Sequence, residues 1–180
     1  MVGISSKKKI FSGLISMVFV WGLFFSQSQA ASLSVSPSAG TFTVGSMIEV
    51  PIYLDTKGQS INAVAVFLKF SPDKLQLVSP SSGRSIIGIW ATPPRFNNQL
   101  GTVELQGLIP NGINTTNGLI TTLTFRVKSV GQTVIKFLDE TSVLLNDGLG
   151  TDTLEHTQNA VYQLSLPPPA GPIVTSETHP

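Results

Sequence analysis

The chain contains no cysteine among its 180 residues. A disulfide framework, a thiolate metal site and a cysteine nucleophile are therefore excluded, and any folded domain depends on packing alone. Charged residues are also scarce, at 12% of the chain. Three of the eleven basic residues are Lys7, Lys8 and Lys9, so eight basic residues face ten acidic ones elsewhere. This balance lacks the basic face that phosphate-backbone binding requires, so no nucleic-acid partner is predicted.

Side chains that could carry out catalysis are few and scattered. The two histidines, His156 and His179, have no recognisable nucleophile pattern around them. Glycoside hydrolysis needs two carboxyl groups at a defined separation in a cleft. Glu49, Asp73 and Glu104 instead fall on predicted strand surfaces or turns. We therefore predict a protein that is not an enzyme and that uses no cofactor.

Residues 1–30 have the pattern of an export signal. The basic Lys7–Lys9 precede an uncharged apolar run, Ile10–Phe25, and the small residues Ser28 and Ala30 follow. This predicts cleavage before Ala31. An uncleaved membrane anchor is the alternative, because the apolar run is close to the length that spans a bilayer. In either case the rest of the chain is predicted to be secreted or attached to the cell surface.

Hydrophobic alternation with a period of two extends from Ser32 to Leu166, and no segment has the pattern of an amphipathic helix. Turn residues separate about nine apolar runs, and Val161 and Leu164 are the predicted inward residues of the last one. Pro51 predicts an edge strand or a bulge, because proline has no N–H for a sheet. Residues 31–166 are therefore predicted to form an all-β, two-sheet sandwich.

Residues 167–180 have a different composition. Pro167–Pro169 and Pro172 predict a stiff polyproline-type spacer followed by a disordered end. Such a tail either connects to a further domain or anchor, or holds the sandwich away from a surface.

Three segments resemble the cohesin family. INAVAVFLKFSPDKLQLVSP (Ile61–Pro80) is similar to its strand–turn–strand signature, in which an apolar strand ends in aromatic-x-Pro before a Leu-rich strand. VGSMIEVPIYLDT (Val44–Thr56) resembles its second strand, and NGLITTLTFRVKSVGQTVIKFLDE (Asn117–Glu140) its long seventh and eighth strands. The resemblance covers Ser32–Leu166. It implies a nine-stranded jelly-roll sandwich, shared with the cellulose-binding modules of bacterial plant-wall-degrading systems.

The resemblance also implies protein–protein docking, because cohesins hold dockerins, which are small calcium-binding modules borne by enzymes. In cohesins the outward positions of the third strand carry polar groups that hydrogen-bond the dockerin. The sequence places small and aromatic residues there, which suit a flat partner, and polar residues on a neighbouring strand. The predicted protein-binding face consists of Ala63, Ala65, Phe67, Lys69, Thr102, Glu104 and Gln106.

The segment Trp90–Phe96 is predicted to be a rigid loop. It carries the only tryptophan after the export signal, two prolines, Arg95 and Phe96. Exposed rings on such a loop can stack on the apolar face of a pyranose. Trp90, Arg95 and Phe96 are therefore the candidate carbohydrate-binding residues. The alternative is that Trp90 ends a strand and caps the core.

The loop Asn146–Asp152 carries oxygen ligands at alternating positions. Asp147 and Asp152 are the calcium candidates in it. Its spacing does not fit the EF-hand loop, and a glycine-rich turn between strands explains it more simply. No metal site is predicted.

Three hypotheses for the function follow. The first is a non-catalytic extracellular module that docks a dockerin-type or other surface protein during polysaccharide degradation or cell-surface assembly. The second is a carbohydrate-binding module that attaches a larger protein to polysaccharide. The third is a structural spacer of a surface protein.

Overall fold

The structure is a computed structural model that describes residues 30–81 and 83–169. Its strands are β1 (Ala31–Val35), β2 (Ala39–Thr43), β3 (Met47–Asp55), β4 (Ile61–Lys69), β5 (Leu75–Ser81), β6 (Ile89–Asn97), β7 (Thr102–Ile113), β8 (Gly118–Val127), β9 (Gly131–Phe137), β10 (Ser142–Leu145), β11 (Leu154–Gln158) and β12 (Ala160–Ser165). The predicted export signal, apart from Ala30, and residues 170–180 of the tail lie outside the described residues. In the described ranges, no helix has the length and apolar character needed to cross a membrane.

The strands form two sheets. The five-stranded sheet has the order β11-β1-β3-β8-β5, and the seven-stranded sheet has the order β2-β12-β9-β4-β7-β6 with β10 also paired to β4. Most neighbours are antiparallel, but β1 pairs with β11 and β12 pairs with β2 in parallel. The prediction of an all-β two-sheet sandwich is confirmed.

The core lies between the sheets and consists of the alternating apolar residues. Those of β3, at every second position from Ile48 to Leu54, are at most 2% exposed. Phe70, directly after β4, and Phe125 on β8 bring one ring from each sheet into edge-to-face contact. Their ring centroids lie 5.1 Å apart with an angle of 72° between the planes. Packing of this kind replaces the disulfides that the sequence lacks.

The described residues form twelve strands, where the resemblance implied nine. Two short strands, β2 and β11, lie in segments where the alternation predicted no strand. Ala39–Thr43 pairs in parallel with β12, and Leu154–Gln158 pairs in parallel with β1. Edge pairings of four or five residues are too short to give a clear period of two.

Pro51 lies in β3, between β1 and β8, so the predicted edge position is wrong. The N–H of Ser36, just after β1, donates to the Pro51 carbonyl at 3.0 Å. In an antiparallel sheet the N–H and C=O of one residue point to the same neighbouring strand. An N–H at position 51 would therefore point toward the end of β1, as the Pro51 carbonyl does. The register irregularity of β3 against β8 lies one residue further on, between Ile52 and Tyr53.

Asn111 and Gly112 are a residue pair typical of turns, but they lie inside β7. Both have positive φ, 66° and 72°, which asparagine and glycine tolerate better than other residues. The register of β7 against β4 shifts at this point, opposite the stretch between Ile61 and Ala63. The pair therefore forms an irregularity within a strand rather than a chain reversal.

The predicted inward position of Val161 is wrong. Val161 is 42% exposed, whereas Tyr162 and Leu164 are 0% and 2% exposed. The Tyr162 hydroxyl donates to the Pro37 carbonyl at 2.8 Å, so the tyrosine is buried with its polar group satisfied. Its ring packs edge-to-face on Phe42 at 5.1 Å.

The burial of Tyr162 predicts a loss of stability at high pH. Burial raises the pKa of Tyr162 from 10.0 to about 12. The folded state then holds the phenolic proton more tightly than the unfolded chain. This contribution is fully present below pH 10 and is lost as the pH rises toward 12. We expect the free energy of unfolding, measured with urea across this window, to fall by about 3 kcal/mol from this group. Tyr162→Phe should remove most of that fall, and an unchanged profile would contradict the assignment.

β9 and β10 lie along the same edge of β4, and residues 138–141 interrupt them. The buried Thr141 hydroxyl accepts from the Phe67 N–H and donates to the Phe67 carbonyl, both at 3.1 Å. The Leu138 N–H donates to the same carbonyl at 2.8 Å. The side chain of Thr141 therefore satisfies the backbone of β4 where its neighbouring strand is interrupted.

Thr141→Val tests this substitute pairing. Valine keeps the volume but leaves the Phe67 N–H without the hydroxyl that accepts its bond. We expect the free energy of unfolding to fall by about 1–3 kcal/mol, measured by chemical denaturation. Thr102→Val, on the partly exposed outer face of the same sheet, is the control and should change it by less than about 0.5 kcal/mol. Equal effects of the two variants would show that the hydrogen bonds between Thr141 and Phe67 do not contribute to the free energy of unfolding.

Candidate functional site

The predicted protein-binding residues of β4 and β7 share the outer face of the seven-stranded sheet. Directly opposite residues of paired strands point to the same face. The register brings together Ala65 with Gln106, Phe67 with Glu104 and Lys69 with Thr102, and it places Leu108 opposite Ala63. The side chains between them, such as Val66 and Leu105, point into the core and are 0% exposed.

The neighbouring strands extend this face on both sides. Leu144 of β10 lies opposite Ala63, and Ile89 of β6 lies opposite Leu108. The four side chains form an apolar row across the sheet, and Ile89 and Leu108 are 54% and 43% exposed. We call the outer face of β6, β7, β4 and β10, together with Lys136 of β9, the docking face.

The character of the docking face changes along the strands. The apolar row lies at one end, and Ala65 and Phe67 with Glu104 and Gln106 form the middle. Gln106 Nε2 donates to Glu104 Oε1 at 2.7 Å, which holds these two polar side chains side by side. At the other end Lys69 lies opposite Lys136 of β9.

The predicted protein-binding residues did not include Ile89, Leu108, Lys136 and Leu144, which also lie on this face. Leu108 continues the alternation of Thr102, Glu104 and Gln106, and this signal could have found it. The other three are on strands whose pairing with β4 or β7 depends on the topology, which the alternation pattern does not contain.

Trp90–Phe96 is part of the edge strand β6 rather than a loop. An edge strand tolerates its two prolines, and the register against β7 shifts on both sides of Thr92. Trp90 lies opposite Gly107 and is partly buried against the core. Arg95 lies opposite Glu104 on the docking face, whereas Phe96 lies opposite the inward Val103. The candidate carbohydrate-binding residues therefore do not share one face: Trp90 packs partly against the core, whereas Phe96 is 41% exposed near the end of β6.

Asp147 and Asp152 lie around a turn, and their oxygens accept backbone bonds. Asp147 Oδ1 accepts from the Leu149 N–H at 2.8 Å, and hydrogen bonds from Thr151 and Leu149 lower the pKa of Asp147. Asp152 Oδ1 accepts from the N–H groups of Val143 and Leu154, each at 3.0 Å. Within residues 30–81 and 83–169, no group of three His, Cys, Asp or Glu side chains could hold a metal ion.

The carboxylates considered for catalysis are far apart in the fold. Glu49 lies on the outer face of the five-stranded sheet, opposite Thr124. Glu104 lies on the outer face of the other sheet, and Asp73 lies in the turn before β5. The thickness of the sandwich separates Glu49 from Glu104, about 10 Å between the sheets alone, so these two do not form a pair.

These features define a two-sheet β-sandwich module with a broad, mixed apolar and polar outer face. The family model described as "Cohesin domain" matches residues 33–160. The chain therefore belongs to the cohesin family, which confirms the resemblance. Comparison with curated proteins finds no match.

Solved structures of cohesins share the fold at low sequence identity. The complex of Coh-OlpC with a dockerin from Clostridium thermocellum matches with 14% identity and a TM-score of 0.64, covering 76% of this chain and 94% of the other. The seventh ScaB type I cohesin of Pseudobacteroides cellulosolvens matches with 16% identity and a TM-score of 0.61, covering 83% and 97%. The third ScaC cohesin of Acetivibrio cellulolyticus, in complex with the ScaB dockerin, matches with 17% identity and a TM-score of 0.61, covering 74% and 98%.

Proposed function

We propose that this protein is a non-catalytic extracellular docking module that binds a dockerin-type protein through the docking face. The observation that carries the proposal is the register of β4 against β7 and β10. It gathers outward side chains from three strands onto one surface. Membership of the cohesin family supports the same function.

Burial of apolar surface is the main source of affinity in this proposal. The positions that carry dockerin-bonding polar groups in other cohesins are Ala63, Ala65 and Phe67 here. Small side chains allow a partner to approach the sheet closely, and the ring of Phe67 supplies apolar area. Glu104 and Gln106 add hydrogen-bonding groups beside them. Such an interface resembles the general pattern of an apolar centre with polar groups around it.

Capture of a calcium-loaded partner tests the proposed function. The full chain is immobilised and exposed to the secreted proteins of the producing organism in the presence of calcium, and bound protein is eluted with a chelator. We expect the eluate to contain a protein with a dockerin sequence, identified by mass spectrometry, because dockerins are calcium-binding modules. An eluate without any dockerin-bearing protein would reject the proposal.

Secretion is a separate part of the proposal. The pattern of residues 1–30 supports cleavage after Ala30 and release into, or attachment to, the outside of the cell. The work of such a module would be to hold an enzyme-borne dockerin in a polysaccharide-degrading or cell-surface assembly. Mass spectrometry of the mature protein should find Ala31 as the first residue, and an N-terminus at Met1 or Val2 would contradict cleavage.

A further inference from the structure

The positive charge of the domain is concentrated at one corner. Eight basic residues follow residue 30, and four of them lie around the turn between β4 and β5: Lys69, Lys74, Lys128 and Lys136. We call these four the lysine corner. Lys74 Nζ donates to the Val130 carbonyl at 2.8 Å, and Lys128 Nζ donates to the Pro72 carbonyl at 2.6 Å.

A cavity of about 310 Å³ opens at the lysine corner. Pro72 and Val134 contribute apolar surface to it, and the side chains of Lys69 and Lys136 border it. Asp73 is the one acidic side chain in its lining, and it lies 3.6 Å from Lys74. The cavity thus combines apolar surface with net positive charge, which suits a carboxylate on a short aliphatic stem.

Lys69 and Lys136 are directly opposite each other on neighbouring strands. Like charges in this position destabilise a sheet. In the described ranges the ion pairs within 4.0 Å are Lys57–Asp55 and Lys74–Asp73, and neither includes this pair. Lys69 Nζ donates to the Leu100 carbonyl, which leaves two of its three N–H groups for another acceptor. An anion placed between the two ammonium groups would relieve their repulsion.

The charge of the remaining domain has the opposite sign. Nine of the ten acidic residues lie between residues 30 and 169, and eight of these lie outside the cavity lining. Only four basic residues remain outside the corner to balance them. An anionic partner is therefore repelled elsewhere and attracted to one end of the docking face.

We propose that the lysine corner is an anion-receiving subsite of the docking face, which takes an acidic side chain of the protein partner and fixes the partner's orientation. The inference rests on the proposed docking function and adds the chemistry of the partner. Lys69 is the last residue of the β4 row, so the corner is continuous with the face. This continuity favours a protein partner over an anionic polysaccharide.

Selection of peptides tests the subsite without knowledge of the natural partner. A displayed library of random peptides of about 12 residues is selected on the full chain at about 50 mM salt. The best peptide is then synthesised and titrated against the variants. We expect enrichment of Asp- and Glu-containing apolar peptides, and about tenfold weaker binding to the Lys69→Gln, Lys136→Gln double variant.

The matched control removes the same net charge elsewhere. Lys57→Gln with Arg126→Gln neutralises one lysine at the opposite end of the sandwich and one arginine on the outer face of the other sheet, and it should leave the affinity unchanged. Lys136→Gln alone, at an exposed position, should weaken binding in part. This single variant keeps the test informative if the double variant misfolds. The folding of the double variant is checked by its Tm.

Several outcomes would overturn the subsite: no enriched peptide, enriched peptides without acidic residues, or equal binding by both double variants. Polygalacturonate binding that requires the two lysines, without peptide binding, would also overturn it and would identify a polysaccharide ligand. None of these results affects the capture of a dockerin by the unmodified chain, so the two proposals fail separately.

Discussion

Replacing Ala65 with arginine is expected to weaken binding of the captured dockerin by about 100-fold or more. Ala65 lies in the middle of the docking face, between Gln106 of β7 and Ser142 of β10. An arginine side chain there holds the partner away from the sheet and leaves a guanidinium facing an apolar contact. Because the position points outward and is partly exposed, the sandwich should remain folded. The affinity is measured by isothermal titration calorimetry in calcium.

Thr124→Arg provides the control for this variant. Thr124 is also a partly exposed, outward strand residue, but it lies on the outer face of the five-stranded sheet opposite Glu49. We expect this variant to bind the partner as the unmodified chain does. The docking face would be wrongly located if Thr124→Arg abolished binding while Ala65→Arg did not.

Phe125→Ala is expected to cost the largest share of folding stability, about 3–5 kcal/mol. Phe125 is fully buried on a central strand, and its ring meets Phe70 from the opposite sheet at 5.1 Å. The variant leaves a cavity between the sheets and removes the aromatic contact. With typical domains stable by about 5–15 kcal/mol and no disulfide here, the expected result is a large decrease in the urea midpoint.

Phe42→Ala gives the comparison for the core variant. Phe42 also packs edge-to-face on an aromatic ring, Tyr162, but it is partly exposed on the edge strand β2. We expect Phe42→Ala to lose no more than about half as much stability as Phe125→Ala, because the partly exposed Phe42 buries less apolar surface on folding. Equal losses of stability for the two variants would mean that the contact between Phe70 and Phe125 does not contribute more than the contact at the edge strand.

The alternation of apolar residues was sufficient to predict much of the fold. In β3 from Ile48 and in β4 from Val64 onward every second residue is buried, so the sequence alone separates inward from outward positions there. The same alternation placed Ala65 and Phe67 on the outside of β4 and Glu104 on the outside of β7. β4 and β7 are neighbours in the sheet, which makes these positions one surface.

Some features of the fold could not be predicted from the sequence because they depend on tertiary contacts. At Phe67 and Leu77 side chains replace strand neighbours: Thr141 bonds the backbone of the first, and the amide of Asn98 makes two bonds of 2.8 Å to the backbone of the second. Such pairings depend on tertiary contacts and leave no period in the sequence. The prolines of β6 likewise suggested a loop, because whether a strand is at an edge depends on the sheet order.

The order of strands around β4 has a consequence for when the protein can bind. β4 ends at Lys69, but the strands that flank it begin at Thr102, Gly131 and Ser142. A nascent chain that stops short of β10 lacks one border of the docking face, and an unfolded chain presents none of it. Because pairings so distant in sequence form slowly, recognition becomes possible only after the domain has completed folding.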